Sequence, residues 1–322
     1  MSKEPRNDMG KKPWRARVSQ NPKPSGSSGD ERSPPRQQRP ADGSQRPDAA
    51  RARPGPERNP GRHKPHRHER KDRARERARD ADDGPLRLFG IHPVEAALRN
   101  PARRITRLFA TENAARRLTE ALGTLRVPVE DTTPRDLDRI LGAEAVHQGV
   151  MIETEPLPEP DLQSLAENAA GRPLLVLDQV TDPHNVGAIL RSAAVFGAAG
   201  LVMTRRHSPP LNGVLAKSAS GALELVPIAL VGNLAGALAE LKDVGFTLIG
   251  LEGSAEARLE QADWSRPTAL VMGAEGKGLR ELTQKLCDVL ARITTDGPIA
   301  SLNVSNAAAI ALHTAALARI RV

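Results

Sequence analysis

The stretch of sequence that decides the fold is Ser301-Leu302-Asn303-Val304-Ser305-Asn306. It lies between a short apolar run at 289–293 and a long alanine-rich helical pattern at 304–319. One polar side chain is enough to cap the start of a helix. The two hydroxyls and two amides of this stretch exceed that need, and the surplus predicts a second role.

Two other polar segments have the same placement, DQVTDPHNVG at 178–187 and GAEGKG at 273–278. Each follows an apolar run and leads into a helical pattern. In an open parallel sheet, ligands bind at the carboxyl ends of the strands. We therefore expect the three segments to form one site at one edge of a sheet.

The carboxyl-terminal half of the chain alternates apolar runs with helical patterns. Several of the runs are continuously apolar, which is typical of strands covered on both faces and predicts a parallel sheet in an α/β fold. The predicted strands are 174–177, 201–204, 225–230, 246–251, 269–272 and 289–293. The predicted helices are 186–196, 211–218, 234–244, 279–286 and 304–319.

The first 84 residues differ in composition from the rest. They hold 23 Lys/Arg and 13 Asp/Glu, net +10, whereas residues 85–322 hold 24 and 26, net −2. Twelve prolines and few aliphatic residues cannot offset chain entropy, so 1–84 is predicted to be a disordered basic tail. Its arginines suit an arm that binds RNA by releasing counterions, and a solubilising tail without a specific partner is the alternative.

Residues 86–155 predict a small α/β domain with ten basic and ten acidic residues. Its expected strands are 105–110, 127–130 and 149–153, and its expected helices are 114–122, 134–141 and one that starts with Pro93 at its first position. Prolines at 156, 158 and 160 mark a linker, assigned to 156–172. The second domain is then 173–322.

Composition also excludes several classes of protein. The single Cys287 permits no intramolecular disulfide and suits a reducing compartment. No apolar run approaches the roughly 18 residues of a membrane helix, and the charged amino terminus lacks the apolar core of a signal peptide. We therefore expect a cytoplasmic protein that does not enter a membrane. His63, His66 and His68 have no cysteines nearby, so no metal site is predicted.

Single residues of the polar segments have ordinary structural explanations. Asn185 is a good helix N-cap, and Arg191 lies on the polar face of the same predicted helix, where solvent exposure would explain it. Glu275 could complement a helix dipole or contact a ligand, and the two roles are compatible. The glycine spacing at 273–278 matches neither a nucleoside triphosphate loop nor a dinucleotide loop.

The motifs D-x-V-x-D-P-x-N-V-G-A-I-x-R-S-A, V-M-G-A-E-G-K-G-L and S-L-N-V-S resemble, in order, the three motifs of the SpoU/TrmH family of RNA ribose 2′-O-methyltransferases. KSASGA at 217–222 looks like the K-x-S-x-G-A stretch of the same family. FGIHPVEAAL at 89–98 and HQGV at 147–150 are similar to the amino-terminal substrate-binding domain of many members. The resemblance covers residues 86–322.

The resemblance implies a SPOUT-class α/β trefoil knot, preceded by a domain like ribosomal protein L30e. It also implies a homodimer with the site near the interface. The implied cofactor is S-adenosylmethionine, held largely by backbone at the positions that match Gly273, Ile293 and Leu302.

The catalytic positions follow from the same resemblance. Asn185 and Arg191 match the first motif, and Glu275 matches the acid of the second. Ser301 and Asn303 match the polar pair of the third. A guanidinium is a poor general base, so Arg191 either has an unusual environment or binds phosphate and orients the ribose.

The function that the resemblance implies is S-adenosylmethionine-dependent 2′-O-methylation of a guanosine of 23S ribosomal RNA, because the two-domain layout is most similar to that subgroup. A transfer RNA 2′-O-methyltransferase is the alternative within the class. A non-catalytic RNA-binding or ribosome-assembly factor on the same fold is the alternative outside it. The absence of tyrosine and the scarcity of aromatic residues predict phosphate and shape contacts to RNA rather than base stacking.

Overall fold

The computed structural model of the chain describes residues 85–298 and 301–320. The predicted basic tail, 1–84, and its three histidines lie outside the described residues. No helix within the described ranges is long and apolar enough to cross a membrane. No group of three or more His, Cys, Asp or Glu side chains in those ranges is arranged to hold a metal ion.

A four-stranded sheet forms the amino-terminal part of the described chain, in the order β1-β4-β2-β3. Its strands are β1 Leu86–Phe89, β2 Ile105–Ala110, β3 Val129–Asp131 and β4 Val150–Thr154. Its helices are α1 Ile91–Arg99, α2 Glu112–Leu122 and α3 Pro134–Leu141. β2 and β3 are parallel, whereas β4 runs antiparallel to both β1 and β2.

Two local predictions for this part were wrong in detail. Helix α1 starts two residues before Pro93, because the turn at Gly90, with a φ of 91°, already directs the chain into the helix. β1 was not predicted, since four residues give too short an alternation to recognise. The strand at 105–110 and the helix at 134–141 match the prediction, and Thr111 and Thr133 cap α2 and α3.

A seven-stranded sheet follows, in the order β7-β6-β5-β10-β8-β11-β9. Its strands are β5 Leu174–Asp178, β6 Gly200–Thr204, β7 Ile228–Val231, β8 Thr247–Leu251, β9 Ala257–Arg258, β10 Thr268–Gly273 and β11 Val289–Arg292. All adjacent pairs are parallel, which confirms the predicted parallel sheet. The predicted strand 225–230 was wrong at its start, because 222–224 forms a 3₁₀ turn and Leu225 is 72% exposed.

Helices cover both faces of this sheet. They are α4 Leu162–Glu167, α5 Pro183–Phe196, α6 Gly213–Ala219, α7 Leu234–Asp243, α8 Glu281–Leu286 and α9 Val304–Ile320. Alternate residues of β5 serve the two faces: Leu175 and Leu177 pack with α5, α6 and α9, whereas Leu174 and Val176 pack with α4 and α7. Helix α4 was not predicted; it lies inside the assigned linker and buries Leu162, Leu165 and Ala166.

The central strands position the polar segments. β5 and β10 are neighbours in register, with Asp178 opposite Gly273, so the loops that follow them leave the sheet side by side. The loop after β5 turns into α5 at Asp182, whose side chain accepts a hydrogen bond from the backbone N–H of His184 at 2.9 Å. Pro183 occupies the first turn, where a missing N–H costs nothing.

The small sheet packs against α6 and the 3₁₀ turn that follows it. A Cβ at Gly213 would lie 2.6 Å from the carbonyl oxygen of Arg87, so only glycine permits this approach. Glu224 of the 3₁₀ turn forms an ion pair with Arg103, which lies between α1 and β2; the separation is 2.6 Å and both side chains are 2% exposed. This contact is therefore both close-packed and electrostatically specific.

Candidate active site

Three side chains from the three polar segments meet at the carboxyl edge of the large sheet. Asn303 Nδ2 donates to Asn185 Oδ1 at 3.0 Å and to Glu275 Oε2 at 3.0 Å. Asn185 Nδ2 lies 3.4 Å from the same carboxylate oxygen. We call Asn185, Glu275 and Asn303 the polar triangle. The expected convergence of the three segments on one site is thus seen in these three residues.

Asn303 also caps the last helix. Its Oδ1 accepts hydrogen bonds from the backbone N–H of Ser305 at 2.9 Å and from Ser305 Oγ at 2.6 Å. Its backbone carbonyl accepts from the N–H of Ala307 at 3.0 Å. Because Oδ1 accepts the hydrogen bonds at the start of the helix, Nδ2 is the atom left to donate to Asn185 and Glu275. The capping interpretation and the second role therefore belong to one side chain.

Glu275 is held by the glycine-rich loop. The N–H of Gly278 donates to the carbonyl of Ala274 at 2.9 Å, which closes the loop. Gly276 and Gly278 have φ values of 75° and 65°, a region that favours glycine. A Cβ at Gly273 would lie 2.1 Å from the carbonyl oxygen of Gly278, so the loop can fold back only if residue 273 has no side chain.

Asp178 ties the first segment to the far end of this loop. Its buried carboxylate accepts from Arg280 Nε at 2.6 Å, from the backbone N–H of Arg280 at 3.2 Å and from Thr283 Oγ1 at 2.7 Å. No role was predicted for Asp178. The sequence did contain a signal for this role, because Asp178 follows four apolar residues of a buried strand. A buried carboxylate is costly unless it has hydrogen-bonding or charged partners.

A first cavity of about 280 Å³ lies beside the triangle. All three predicted cofactor positions, Gly273, Ile293 and Leu302, line it. Glu275 and Ser301 line it too, and Ser301 is exposed rather than part of the triangle. The residues at the end of β8, 251–253, also line it and were not predicted; their signal was the end of another apolar run at the same sheet edge.

A second cavity of about 360 Å³ lies on the other side of Glu275. The first polar segment and the glycine-rich loop form most of its wall, and His207 from the loop after β6 completes it. Ala274 and Glu275 line both cavities. The polar triangle is therefore adjacent to two separate spaces.

Arg191 is not brought into the triangle. It lies on α5 six residues after Asn185, which at about 100° per residue turns it to another side of the helix. Its side chain is exposed and lines neither cavity. Within residues 85–298 and 301–320, no hydrogen bond or ion pair involves it. In a single chain, then, four of the five predicted catalytic residues lie at or beside the first cavity, and Arg191 does not.

The stretch 217–222 contacts the small sheet and lines neither cavity. Lys217 Nζ donates to Gln148 Oε1 at 2.5 Å, and that oxygen also accepts from the backbone N–H of Ile91 at 3.2 Å. Burial lowers the pKa of the Lys217 ammonium. This stretch thus joins α6 to the loop before β4 and to the start of α1.

Two family models match the chain. The SpoU rRNA Methylase family matches residues 172–313. The model described as RNA 2′-O ribose methyltransferase substrate binding matches residues 87–160. The first match contains the polar triangle and both cavities, and the second contains the small sheet.

Curated relatives and solved structures agree with these matches. The chain is 42% identical over 234 residues to the 23S rRNA (guanosine-2′-O-)-methyltransferase RlmB of Pseudomonas aeruginosa, covering 70% of this chain and 94% of that one. It is 42% identical over 233 residues to the protein of the same name from Ralstonia nicotianae, covering 71% and 94%.

Among solved structures, the SpoU methyltransferase AviRb from Streptomyces viridochromogenes has 26% identity and a TM-score of 0.62, covering 77% of this chain and 93% of that one. The AdoMet-bound rRNA methyltransferase from Sinorhizobium meliloti has 25% identity and a TM-score of 0.60, covering 74% and 89%. With curated relatives this similar over almost their whole length, and with its motif residues gathered at one edge of the parallel sheet, the chain belongs to the SpoU rRNA methylase family.

Proposed function

We propose that this protein is an enzyme that transfers a methyl group from S-adenosylmethionine to the ribose 2′-hydroxyl of a guanosine in 23S ribosomal RNA. The observation that carries the proposal is the polar triangle at the junction of two cavities, one of which contains every predicted cofactor position. The name shared by the relatives from Pseudomonas and Ralstonia supports the choice of RNA and nucleoside.

The first cavity fits the cofactor. Its wall is largely apolar and includes Met272, Ile293 and Leu302, which suits the adenosine part. Glu252 and Glu275 add carboxylates that suit the cationic groups. Its volume is close to the lower end, about 300 Å³, of small-molecule sites. The closed glycine-rich loop presents backbone rather than side chains, as the resemblance implies for cofactor binding.

The cofactor supplies an electrophilic methyl group on a sulfonium. The chain's own residues then have to hold the ribose hydroxyl in line with that methyl, and positioning of this kind can supply much of the rate acceleration. Asn185 and Asn303 donate to Glu275 and so fix its carboxylate between the cavities. We assign Arg191 to a phosphate of the substrate, because its fixed charge and forked donors suit phosphate.

We propose that the enzyme is a homodimer. Two features support this: exposed apolar side chains on α5 and α9, including Val195 at 71% exposure, and the packing of these two helices against each other. Arg191 and Val195 are four residues apart on one face of α5. A partner that covers Val195 therefore also approaches Arg191, which would explain why Arg191 is away from the triangle of its own chain.

The trefoil knot is also a proposal. The order of strands supports it, since β11 lies beyond β8 whereas α9 packs against α5 and β10. The start of α9 therefore lies at the edge where the loops after β5 and β10 emerge, although β11 ends on the far side of β8. Knots are rare among folds, so the family likeness is the second support.

We also propose the division into a small domain at 86–155, a linker at 156–172 and a second domain at 173–322. The two separate family matches, to 87–160 and 172–313, support it. The proposal also includes a small domain like ribosomal protein L30e, a role of the basic segment 1–84 in binding RNA, and a cytoplasmic location. Deleting 1–84 should weaken RNA binding most at low salt and leave the fold intact. Unchanged affinity at low salt would contradict the RNA-arm role.

Methylation of 23S ribosomal RNA and of transfer RNA, assayed in parallel with mapping of 2′-O-methyl sites, tests the function. Transfer to a 23S guanosine is expected, and transfer to transfer RNA alone would favour the alternative within the class. Calorimetric titration with S-adenosylmethionine addresses the non-catalytic alternative, because a scaffold without activity need not bind it.

Arg191→Ala should abolish transfer and leave cofactor affinity within about twofold. Arg266→Ala is the matched control, an exposed arginine just before β10 at the opposite edge of the sheet. Near-normal turnover of Arg191→Ala would sink the role assigned to this residue.

A further inference from the structure

None of the predicted cofactor positions lines the second cavity. It is bounded by the loops after β5, β6 and β10, at the carboxyl edge of the large sheet, and holds about 360 Å³. Asn185 lines it from the start of α5. The only lining residues that it shares with the first cavity are Ala274 and Glu275. A group in the second cavity therefore reaches the first past Glu275.

Two residues of its wall have strained backbones. Gln179 and His207 have φ values of 59° and 65°, a left-handed conformation that side chains disfavour. Only three other non-glycine residues of the described chain share it: Gln148, Ala170 and Ser220. Such strain persists where the surrounding structure imposes it, often at ligand sites.

The loop that carries His207 is fixed before any ligand binds. Thr204 Oγ1 donates to the carbonyl of Arg206 and lies 3.5 Å from Ser208 Oγ, so hydrogen bonds hold both neighbours of His207. Gln179 directly follows the anchored Asp178. Contacts within the protein therefore hold the residues next to both strained positions.

The side chains of this wall have free hydrogen-bonding capacity. In the described ranges, no hydrogen bond or ion pair engages the side chains of Gln179, His207 or Lys277. Gln179 offers two donors and an acceptor, His207 offers a flat ring with two nitrogens, and Lys277 offers a cation. These are the groups that recognise a base edge, a base face and a phosphate.

We propose that the second cavity binds the acceptor nucleoside, a single RNA nucleotide turned out of its stack. This rests on the proposed function and adds where the acceptor binds and in what form. The ribose lies at Asn185 and Glu275, and the base lies against Gln179 and His207. Lys277 binds the adjoining phosphate. One nucleoside suits a space of this size, and turning it out of the stack is easiest in single-stranded RNA.

Glycine substitutions test this without endangering the fold. Gln179→Gly and His207→Gly remove the side chain and also relieve the left-handed strain, so neither should destabilise the protein. Ala170→Gly is the matched control, since it relieves the same strain outside both cavities. We expect each cavity variant to raise the KM for 23S ribosomal RNA at least tenfold, with S-adenosylmethionine affinity within twofold of wild type. Ala170→Gly should change neither.

A second measurement does not need turnover. With S-adenosylhomocysteine saturating the first cavity, full-length wild-type protein is titrated with guanosine 5′-monophosphate and followed by NMR of the histidine rings. Saturable shifts of the His207 resonance are expected, and Gln179→Gly should weaken binding at least fivefold.

Three results would overturn the proposal: an unchanged KM in both cavity variants, an equal loss of cofactor affinity, or no saturable shift of His207. Failure of the proposed function is distinguishable, because wild-type protein would then fail to methylate 23S ribosomal RNA whatever the nucleotide titration showed.

Discussion

Replacing Glu224 with Leu should destabilise the protein strongly, because it leaves a buried guanidinium without its partner. Both side chains of the pair are 2% exposed. Arg103 donates Nη2 to Glu224 Oε1 at 2.6 Å and Nη1 to the carbonyl of Glu155 at 2.9 Å, and Asn100 Nδ2 donates to Glu224 Oε2 at 2.9 Å. Removing one partner of such a pair costs about 3–5 kcal/mol.

The double substitution Arg103→Met with Glu224→Leu should recover most of this loss. Both charges are then gone, so neither is buried without a partner, and apolar side chains of similar size fill the space. At about 2–4 °C per kcal/mol for a folded part of this size, Glu224→Leu should lower Tm by about 6–20 °C. The double variant should lie within a few degrees of wild type.

The assay is thermal unfolding followed by circular dichroism, with urea unfolding for the free energies. A matched control is Glu130→Leu, which breaks the Arg107–Glu130 pair, also 2.6 Å long but solvent-exposed, and should leave Tm nearly unchanged because solvent screens the charges. If Glu224→Leu shifted Tm no more than Glu130→Leu, the inference that burial makes this pair costly to break would be refuted. A double variant no more stable than the single one would refute it equally.

Three further outcomes follow from the site and its surroundings. Gly273→Ala should weaken S-adenosylmethionine binding at least tenfold by calorimetry, since its Cβ would meet loop backbone at 2.1 Å, whereas Gly232→Ala, with open space around it, should have no effect. Asp178→Asn should lower the free energy of unfolding, measured in urea, by about 1.5–3 kcal/mol, because it removes the negative charge that accepts hydrogen bonds from Arg280. A loss below about 0.5 kcal/mol would contradict the anchoring role of Asp178. Burial, with a smaller effect of the neighbouring carboxylate, raises the pKa of Cys287 from its ordinary 9.0 to about 12. Because the folded pKa is the higher one, the stabilisation is complete below about pH 9 and is lost as the pH rises towards 12, so wild type should lose more stability than Cys287→Ala between pH 8 and 10.5 in urea titrations.

Local sequence signals were sufficient for much of the fold. β5 was predictable because four consecutive apolar residues before Asp178 suit a strand buried on both faces. The starts of α3 and α9 were predicted correctly, and Thr133 and Asn303 cap them. The predicted starts of α2 and α5 were two and three residues too late, although Thr111 and Asp182 cap these helices. The strand predicted at 225–230 began three residues too early, because 225–227 form a turn and connection before β7. Apolar character alone does not distinguish such a connection from a strand.

Only part of the candidate site could likewise be predicted from the sequence. Asn185, Glu275 and Asn303 were identified from their motifs, and each belongs to a segment that follows a strand of the large sheet. The second cavity was not predicted, because His207 reaches it from a loop without a motif and its strained φ is a property of the folded backbone. Arg191 was assigned to the same site, yet it lies elsewhere in the single chain.

The sequence by itself determined the parallel sheet, the polar segments after its strands and the family, because these depend on local composition and on order along the chain. Only the tertiary structure decided that β10 lies between β5 and β8, and hence that Glu275 reaches both amides. It also decided that Asp178 anchors the glycine-rich loop across 102 residues of sequence. Such pairings are set by how the whole sheet buries its two faces, and no local pattern specifies them.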